Sequence, residues 1–214
     1  MAQKIKLIGF DVNGTTFDDN EPFIKAINGI FTKFNKPQLP VNILRQKFGQ
    51  PWITIYREAG ITEQMANENK LYEIYNQIYI EEIGRHPIKP FDGLRETLVW
   101  LTQKGIKLVI ISSQYNEITI PLLEKYNLKD FFQRIMGIDY PKVDSIKWLS
   151  EEFKISPPEM GYCGDQEGDI LAAKAGGCVS FAFTRGLHFR DRLVKARPDF
   201  IIDDFADFRR LDIF

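Results

Sequence analysis

Ile5-Lys6-Leu7-Ile8-Gly9-Phe10-Asp11-Val12-Asn13-Gly14-Thr15 is the stretch from which the fold of this chain can be read. It is short and largely apolar up to Phe10, then meets an acidic residue and the turn-forming pair Asn13-Gly14. That pattern predicts a buried strand opening into a loop, with Asp11 at the strand's carboxyl end.

Four further runs share its character: Lys107 to Ile111, a weaker one at Arg134 to Met136, Met160 to Cys163, and Val179 to Phe183. A last short run, Phe200 to Ile202, precedes Asp203. Runs that are apolar throughout suit strands covered on both faces of a parallel sheet. Between them lie helical spacings: Leu94, Leu98 and Leu101; Ile118, Leu122 and Tyr126; Ile146, Leu149 and Phe153. Strand and helix alternate, which predicts an α/β fold with a doubly wound parallel sheet. From about Asp18 to His86 only helical spacing occurs, as in Phe23, Ile27, Ile30, Phe34 and later Leu71, Ile74, Tyr75, Ile78, Tyr79. Pro37, Pro40, Gly49-Gln50-Pro51 and Gly60 divide this segment into about four helices, and His86-Pro87 with Pro90 marks the return. The expected organisation is an α/β core from residues 1–17 and 88–214, carrying an all-helical insertion at 18–87.

The bulk properties bound the function. The chain has 214 residues, 44% of them apolar and 27% charged, as in a soluble globular protein. Twenty-eight basic residues against 29 acidic ones leave no overall basic field to attract nucleic acid or an anionic membrane, so an anionic ligand requires a local site. No apolar run approaches the roughly 18 residues that span a bilayer, and no secretory cleavage pattern follows Met1, which predicts a cytoplasmic protein. Cys163 and Cys178 sit in apolar runs without metal-ligand spacing and are expected as buried free thiols. Trp52, Trp100 and Trp148 fall in helical patterns and are expected to serve packing.

Ligands of open parallel sheets bind outside the carboxyl ends of the strands. Asp11, Ser112 and Gly164-Asp165 end three of the predicted strands, Lys142 stands at the start of a helix, and Asp169 follows Asp165 by four residues. Taken singly, an aspartate there can cap a helix and a serine can serve a turn. Three carboxylates, a hydroxyl and an ammonium converging on one sheet edge instead suit a hard cation with an anionic ligand, and Mg²⁺ with phosphate is the natural pairing.

Asp11-Val12-Asn13-Gly14-Thr15, Leu108 to Ser112, Lys142, and Gly164-Asp165 through Asp169 resemble, in order and spacing, the four motifs of the haloacid dehalogenase superfamily. The resemblance is nearest to its phosphoglycolate phosphatase and phosphomutase-like branch, and the helical insertion resembles that branch's small cap. It implies an enzyme that hydrolyses a small phosphate ester, with Asp11 as nucleophile and an aspartyl-phosphate intermediate. It implies Mg²⁺ held by Asp11, the backbone carbonyl of Asn13, Asp165 and Asp169. Ser112 and Lys142 would receive the phosphoryl group, with Lys147 as the alternative lysine. Gly14, Thr15 and Ser113 would also face the substrate, as would Arg45, with Lys47 and Gln50, in the cap.

One position departs from the pattern. Phosphatases and mutases of the superfamily carry an aspartate two residues after the nucleophile, which protonates the leaving oxygen and later activates water. Here Asn13 occupies it. An amide has no proton to exchange near neutral pH, so reduced turnover is expected. The rival readings are a non-catalytic phosphate-binding or regulatory protein and, ranked lower, a dehalogenase or phosphonatase. Dehalogenases need no Mg²⁺, against the retained Asp165 and Asp169, and phosphonatases need a Schiff-base lysine that nothing singles out among the cap lysines.

Overall fold

A computed structural model describes residues 4–49 and 51–214. In chain order, β1 (Leu7–Phe10) is buried throughout and β2 (Phe17–Asp18) follows it. Then come α1 (Asn20–Lys33), α2 (Val41–Lys47), α3 (Thr54–Arg57), α4 (Glu63–Glu68) and α5 (Leu71–Arg85). After β3 (Lys89–Pro90), helices and strands alternate: α6 (Leu94–Gln103), β4 (Lys107–Ile111), α7 (Asn116–Lys125), β5 (Arg134–Met136), α8 (Lys142–Phe153), β6 (Met160–Gly164), α9 (Glu167–Ala175), β7 (Val179–Phe183), α10 (Arg190–Lys195) and β8 (Phe200–Ile202). The chain divides into two compact units, one running up to Asp18 and again from Pro90 to Phe214, the other Asp19–Lys89.

The α/β unit holds a six-stranded sheet of order β5-β4-β1-β6-β7-β8, parallel at every pairing. Strands are added outward from β1 on one side, then from β1 on the other, so the order reverses beside β1. That reversal leaves a crevice at the carboxyl ends of the central strands. Phe10 is in register with Cys163, which brings the residues after β1 next to those ending β6. One core cluster joins Leu7, Val109, Ile111 and Tyr162 of the sheet to Ile146 and Leu149 of α8. An aromatic cluster contains Phe10, Phe181, Phe183, Phe205 and Phe208, with ring centroids 4.7 to 6.3 Å apart. Each such ring, fully buried, contributes about 1.5–3 kcal/mol, so the central strands are firmly held.

Within the helical unit α1 buries Phe23, Ala26, Ile27, Ile30 and Phe31. Phe31 lies 5.0 Å from Tyr56 and Phe23 5.2 Å from Phe48. There are five described α-helices here, against the expected four or so. The unforeseen break is at Lys70, which adopts a left-handed backbone (φ 51°), while the Asn69 side-chain Nδ2 donates to the Met65 carbonyl at 2.8 Å. No glycine or proline announces that break.

Other differences are local. β1 begins at Leu7 and β6 extends to Gly164. Phe34 and Tyr126 cap their helices from just outside. Trp52 precedes α3 and packs edge-on against Tyr56 and Tyr72. Trp148, expected to pack, is 42% exposed on α8, because Ile146 and Leu149 take that helix's inward positions. Cys163 and Cys178 are buried free thiols, as expected. Among the described residues no helix is long and apolar enough to cross a membrane.

Candidate active site

Asp11 follows β1 directly and is 3% exposed. Its amide donates to the Cys163 carbonyl at 2.9 Å, and its Oδ1 accepts from Val12 N at 2.8 Å. The following turn is closed by Thr16 N and Phe17 N, which both donate to the Val12 carbonyl, and by Gly14 N donating to Phe17 O. Asn13 is half-buried within this turn, bridged to Phe17. Gly14 must be glycine on two counts: its φ is +69°, and an added Cβ would lie 2.3 Å from Asp165 Oδ2.

Asp165, just beyond β6, is fully buried. Its Oδ1 accepts from the Thr15 hydroxyl at 3.1 Å and its Oδ2 from Leu187 N at 2.7 Å. Thr15, expected at the substrate, thus has its hydroxyl committed to orienting this carboxylate. Asp169 lies in the first turn of α9 and combines two roles. Oδ2 accepts from Gln166 N at 2.9 Å as a helix cap, while Oδ1 meets Lys142 Nζ at 2.5 Å and the Tyr162 hydroxyl at 3.2 Å. One oxygen of Asp169 thus serves as the helix cap while the other faces Lys142 and Tyr162.

Lys142 opens α8 behind Pro141. Its Nζ lies 2.9 Å from Asp11 Oδ2 as well as against Asp169, and 5.6 Å from the centre of the Tyr162 ring. Lys147, the other candidate, is exposed. Removing one partner of a buried ion pair leaves uncompensated charge, so Lys142→Met is expected to cost about 3 kcal/mol in Mg²⁺-free protein, roughly 6–12 °C in Tm. Lys147→Met should move Tm little. Thermal melting of the two variants side by side checks this, and equal shifts would remove Lys142 from its assigned place.

Asp11, Asp165 and Asp169 each offer an oxygen within 4.8 Å of the others. Three carboxylates face a single ammonium in this buried pocket, so negative charge is undercompensated if all three ionise. Burial, then the charges of Asp169 and Asp11, push the Asp165 carboxyl well above its ordinary range. Asp11 is raised too, by burial first, although Lys142 pulls it down. Burial opposes the charge on Lys142, but Asp11 and Asp169 outweigh it and raise its pKa. An all-oxygen donor set short of positive charge fits a hard divalent cation such as Mg²⁺. Burial pushes the neighbouring Cys163 thiol up, and the convergent group of donors is made of the three carboxylates, without a sulfur.

Ser112 directly follows β4 and is 2% exposed, with its Oγ accepting from Gln114 N at 3.2 Å; Ser113 beyond it is exposed. Arg45 and Lys47 belong to α2 of the helical unit. Arg45 lines a cleft of about 710 Å³ there with Asn20, Glu21 and Lys25, and Lys47 pairs with Glu58 at 2.6 Å. Gln50 lies outside the described residues.

Three contributors escape the sequence reading: Tyr162, Leu187 and His188. The Tyr162 hydroxyl is 2.9 Å from the Ile111 carbonyl as well as reaching Asp169. A tyrosine in an otherwise apolar strand needs a partner for its hydroxyl, and that requirement is the available signal. Leu187 acts through its backbone amide, which carries no side-chain signature.

A profile described as haloacid dehalogenase-like hydrolase matches residues 8–183. The chain is 27% identical over 216 residues to the phosphoglycolate phosphatase of Vibrio vulnificus, covering 95% of this chain and 94% of that one. Identity to the phosphoglycolate phosphatase of Vibrio cholerae is also 27%, over 95% of each. Among solved structures, a haloacid dehalogenase-like family hydrolase from Streptococcus pneumoniae aligns with a TM-score of 0.81 at 21% identity, over 96% of this chain and 97% of that one. At that identity the likeness establishes the fold.

Proposed function

This chain belongs to the haloacid dehalogenase-like hydrolase family, and from that premise we propose that it is a Mg²⁺-dependent phosphatase of small phosphorylated metabolites working through an acyl phosphate formed on Asp11. The observation that carries this reading is Lys142 bridging Asp11 and Asp169 in the buried pocket that also holds Asp165. The relatives named as phosphoglycolate phosphatases support a small substrate and make phosphoglycolate the first to try.

In the first step an Asp11 carboxylate oxygen forms a bond to phosphorus while the ester P–O bond breaks, and the leaving oxygen takes its proton from solvent water. Val12 N and Lys142 Nζ hold the two oxygens of Asp11, so the nucleophile is fixed before substrate arrives. Lys142 would offset charge on the transferring group, and the Ser112 hydroxyl would donate to one of its oxygens. Mg²⁺ held by Asp11, Asp165 and Asp169 would supply further charge stabilisation to the phosphoryl oxygens. In the second step water attacks the phosphorus of the acyl phosphate, and inorganic phosphate leaves with Asp11 restored as carboxylate. Asn13 offers hydrogen bonds to both steps but exchanges no proton in either.

The test is phosphate release from p-nitrophenyl phosphate and phosphoglycolate with Mg²⁺ or with a chelator, together with calorimetric Mg²⁺ titration of the unsubstituted chain and Asp165→Ala. Release that requires Mg²⁺, and loss of both turnover and Mg²⁺ binding in Asp165→Ala, is the expected result. Unchanged Mg²⁺ affinity in that variant sinks the metal assignment. Metal binding with no turnover of any ester would transfer the reading to a phosphate-binding protein silenced at Asn13.

A further inference from the structure

Beyond β7 the chain runs Thr184-Arg185-Gly186-Leu187-His188 toward α10, a segment to which the motifs assign nothing. At Gly186 an added Cβ would fall 2.2 Å from Asp165 Cβ and 2.3 Å from the Gly14 carbonyl oxygen. The backbone therefore presses directly on both loops of the carboxylate cluster, an approach only glycine permits. The next two amides turn toward the same residue: Leu187 N donates to Asp165 Oδ2 at 2.7 Å and His188 N to the Asp165 carbonyl at 3.4 Å.

The His188 side chain goes further. It is fully buried, and its Nδ1 accepts from Glu167 N at 2.9 Å. Glu167 is the first residue of α9, so its amide is one of the donors that a helix leaves without an internal partner. An amide can donate only to an unprotonated ring nitrogen, which places the imidazole proton on Nε2. The peptide so held lies between Asp165 and Asp169. Arg192 contacts Glu167 Oε2 at 3.1 and 3.2 Å, but that pair is partly exposed and contributes little.

We propose that His188 is a positioning residue for the metal-binding carboxylates, its Nδ1 fixing the first turn of α9 and thereby the separation and orientation of Asp165 and Asp169. This rests on the Mg²⁺ reading above. Groups that orient metal ligands in this way typically change affinity by about 10- to 100-fold when lost. The experiment is calorimetric Mg²⁺ titration of the full chain and of His188→Phe, His188→Asn and His188→Gln, each first verified as folded by circular dichroism and melting. Phe fills the space without an acceptor and should weaken Mg²⁺ binding by about 10- to 100-fold. Asn can present its oxygen near the Nδ1 position and should stay within about threefold of the unsubstituted chain. Gln places its oxygen nearer the Nε2 position and should lose affinity like Phe, which keeps the contrast available if the Phe variant fails to fold. A residue of merely structural importance would change Tm and leave the Mg²⁺ affinity of the folded protein unmoved. Folded Phe or Gln variants that bind Mg²⁺ as tightly as the unsubstituted chain overturn the inference alone. Absence of Mg²⁺ binding in the unsubstituted chain overturns the metal reading and the inference with it.

Discussion

Replacing Asp11 with asparagine is expected to lower phosphate release by roughly 10⁴-fold or more and to abolish the phosphorylated form of the chain. The amide keeps the shape of the carboxylate but has no charge with which to attack phosphorus. Little else in the site should move. Lys142 retains Asp169 at 2.5 Å, and the neighbouring turn is held by the amides donating to Val12 rather than by the Asp11 side chain. The Mg²⁺-free melting temperature should therefore shift little, while Mg²⁺ affinity falls with the loss of one of three carboxylates. Intact mass after mixing with a good phosphate donor, alongside steady-state phosphate release, checks both halves. A variant keeping more than about 1% of turnover would mean that another group attacks phosphorus.

Asp11 and Asp165 are legible from sequence because parallel-sheet topology leaves little freedom, and Asp169 follows from its spacing of four residues after Asp165. Residues that end adjacent strands must meet, and β1 pairs with β6. Lys142 and Lys147 are not separable that way, since helical spacing alone does not say which end of α8 approaches the sheet edge. The break at Lys70 is hidden for a related reason, as a left-handed lysine has no propensity signal. The Gly186 to His188 segment is hidden more deeply. Leu187 acts through a backbone amide that every residue but proline possesses, and a lone histidine far from the motifs reads as ordinary core. What sequence supplies is the set of charged side chains, and what the fold adds is the backbone geometry that aims them.

Changing Asn13 to aspartate should raise hydrolysis of phosphate esters by roughly 10² or more, within the span of about 10² to 10⁴ expected for supplying a missing general acid and base. The family's mechanism assigns the proton transfers to this side chain and asks of the metal only the backbone carbonyl, so Mg²⁺ affinity should stay nearly intact. The gain should depend on the leaving group. An aryl phosphate departs with little need of protonation and should gain least in the first step, whereas an alkyl ester such as phosphoglycolate should gain most. Hydrolysis of the Asp11-phosphate should also quicken, because an aspartate there can take the proton of the attacking water, and this is measurable as faster decay of the phosphorylated mass species. Asn13-Gly14 is a pair prone to deamidation, so stored protein can acquire aspartate at this position and feign activity; peptide mapping must accompany every assay. Ordinary enzymatic rates from authentic Asn13 protein would refute the claim that this residue limits turnover. The proton would then come from another carboxylate, with Asp18, Asp19 and Glu21 the groups to replace first. Of these, Glu21 already pairs with Lys25 at 2.8 Å and Asp19 accepts from the Tyr79 hydroxyl at 2.6 Å, so replacing Asp19 should carry the larger structural effect and needs Tyr79→Phe beside it as a control.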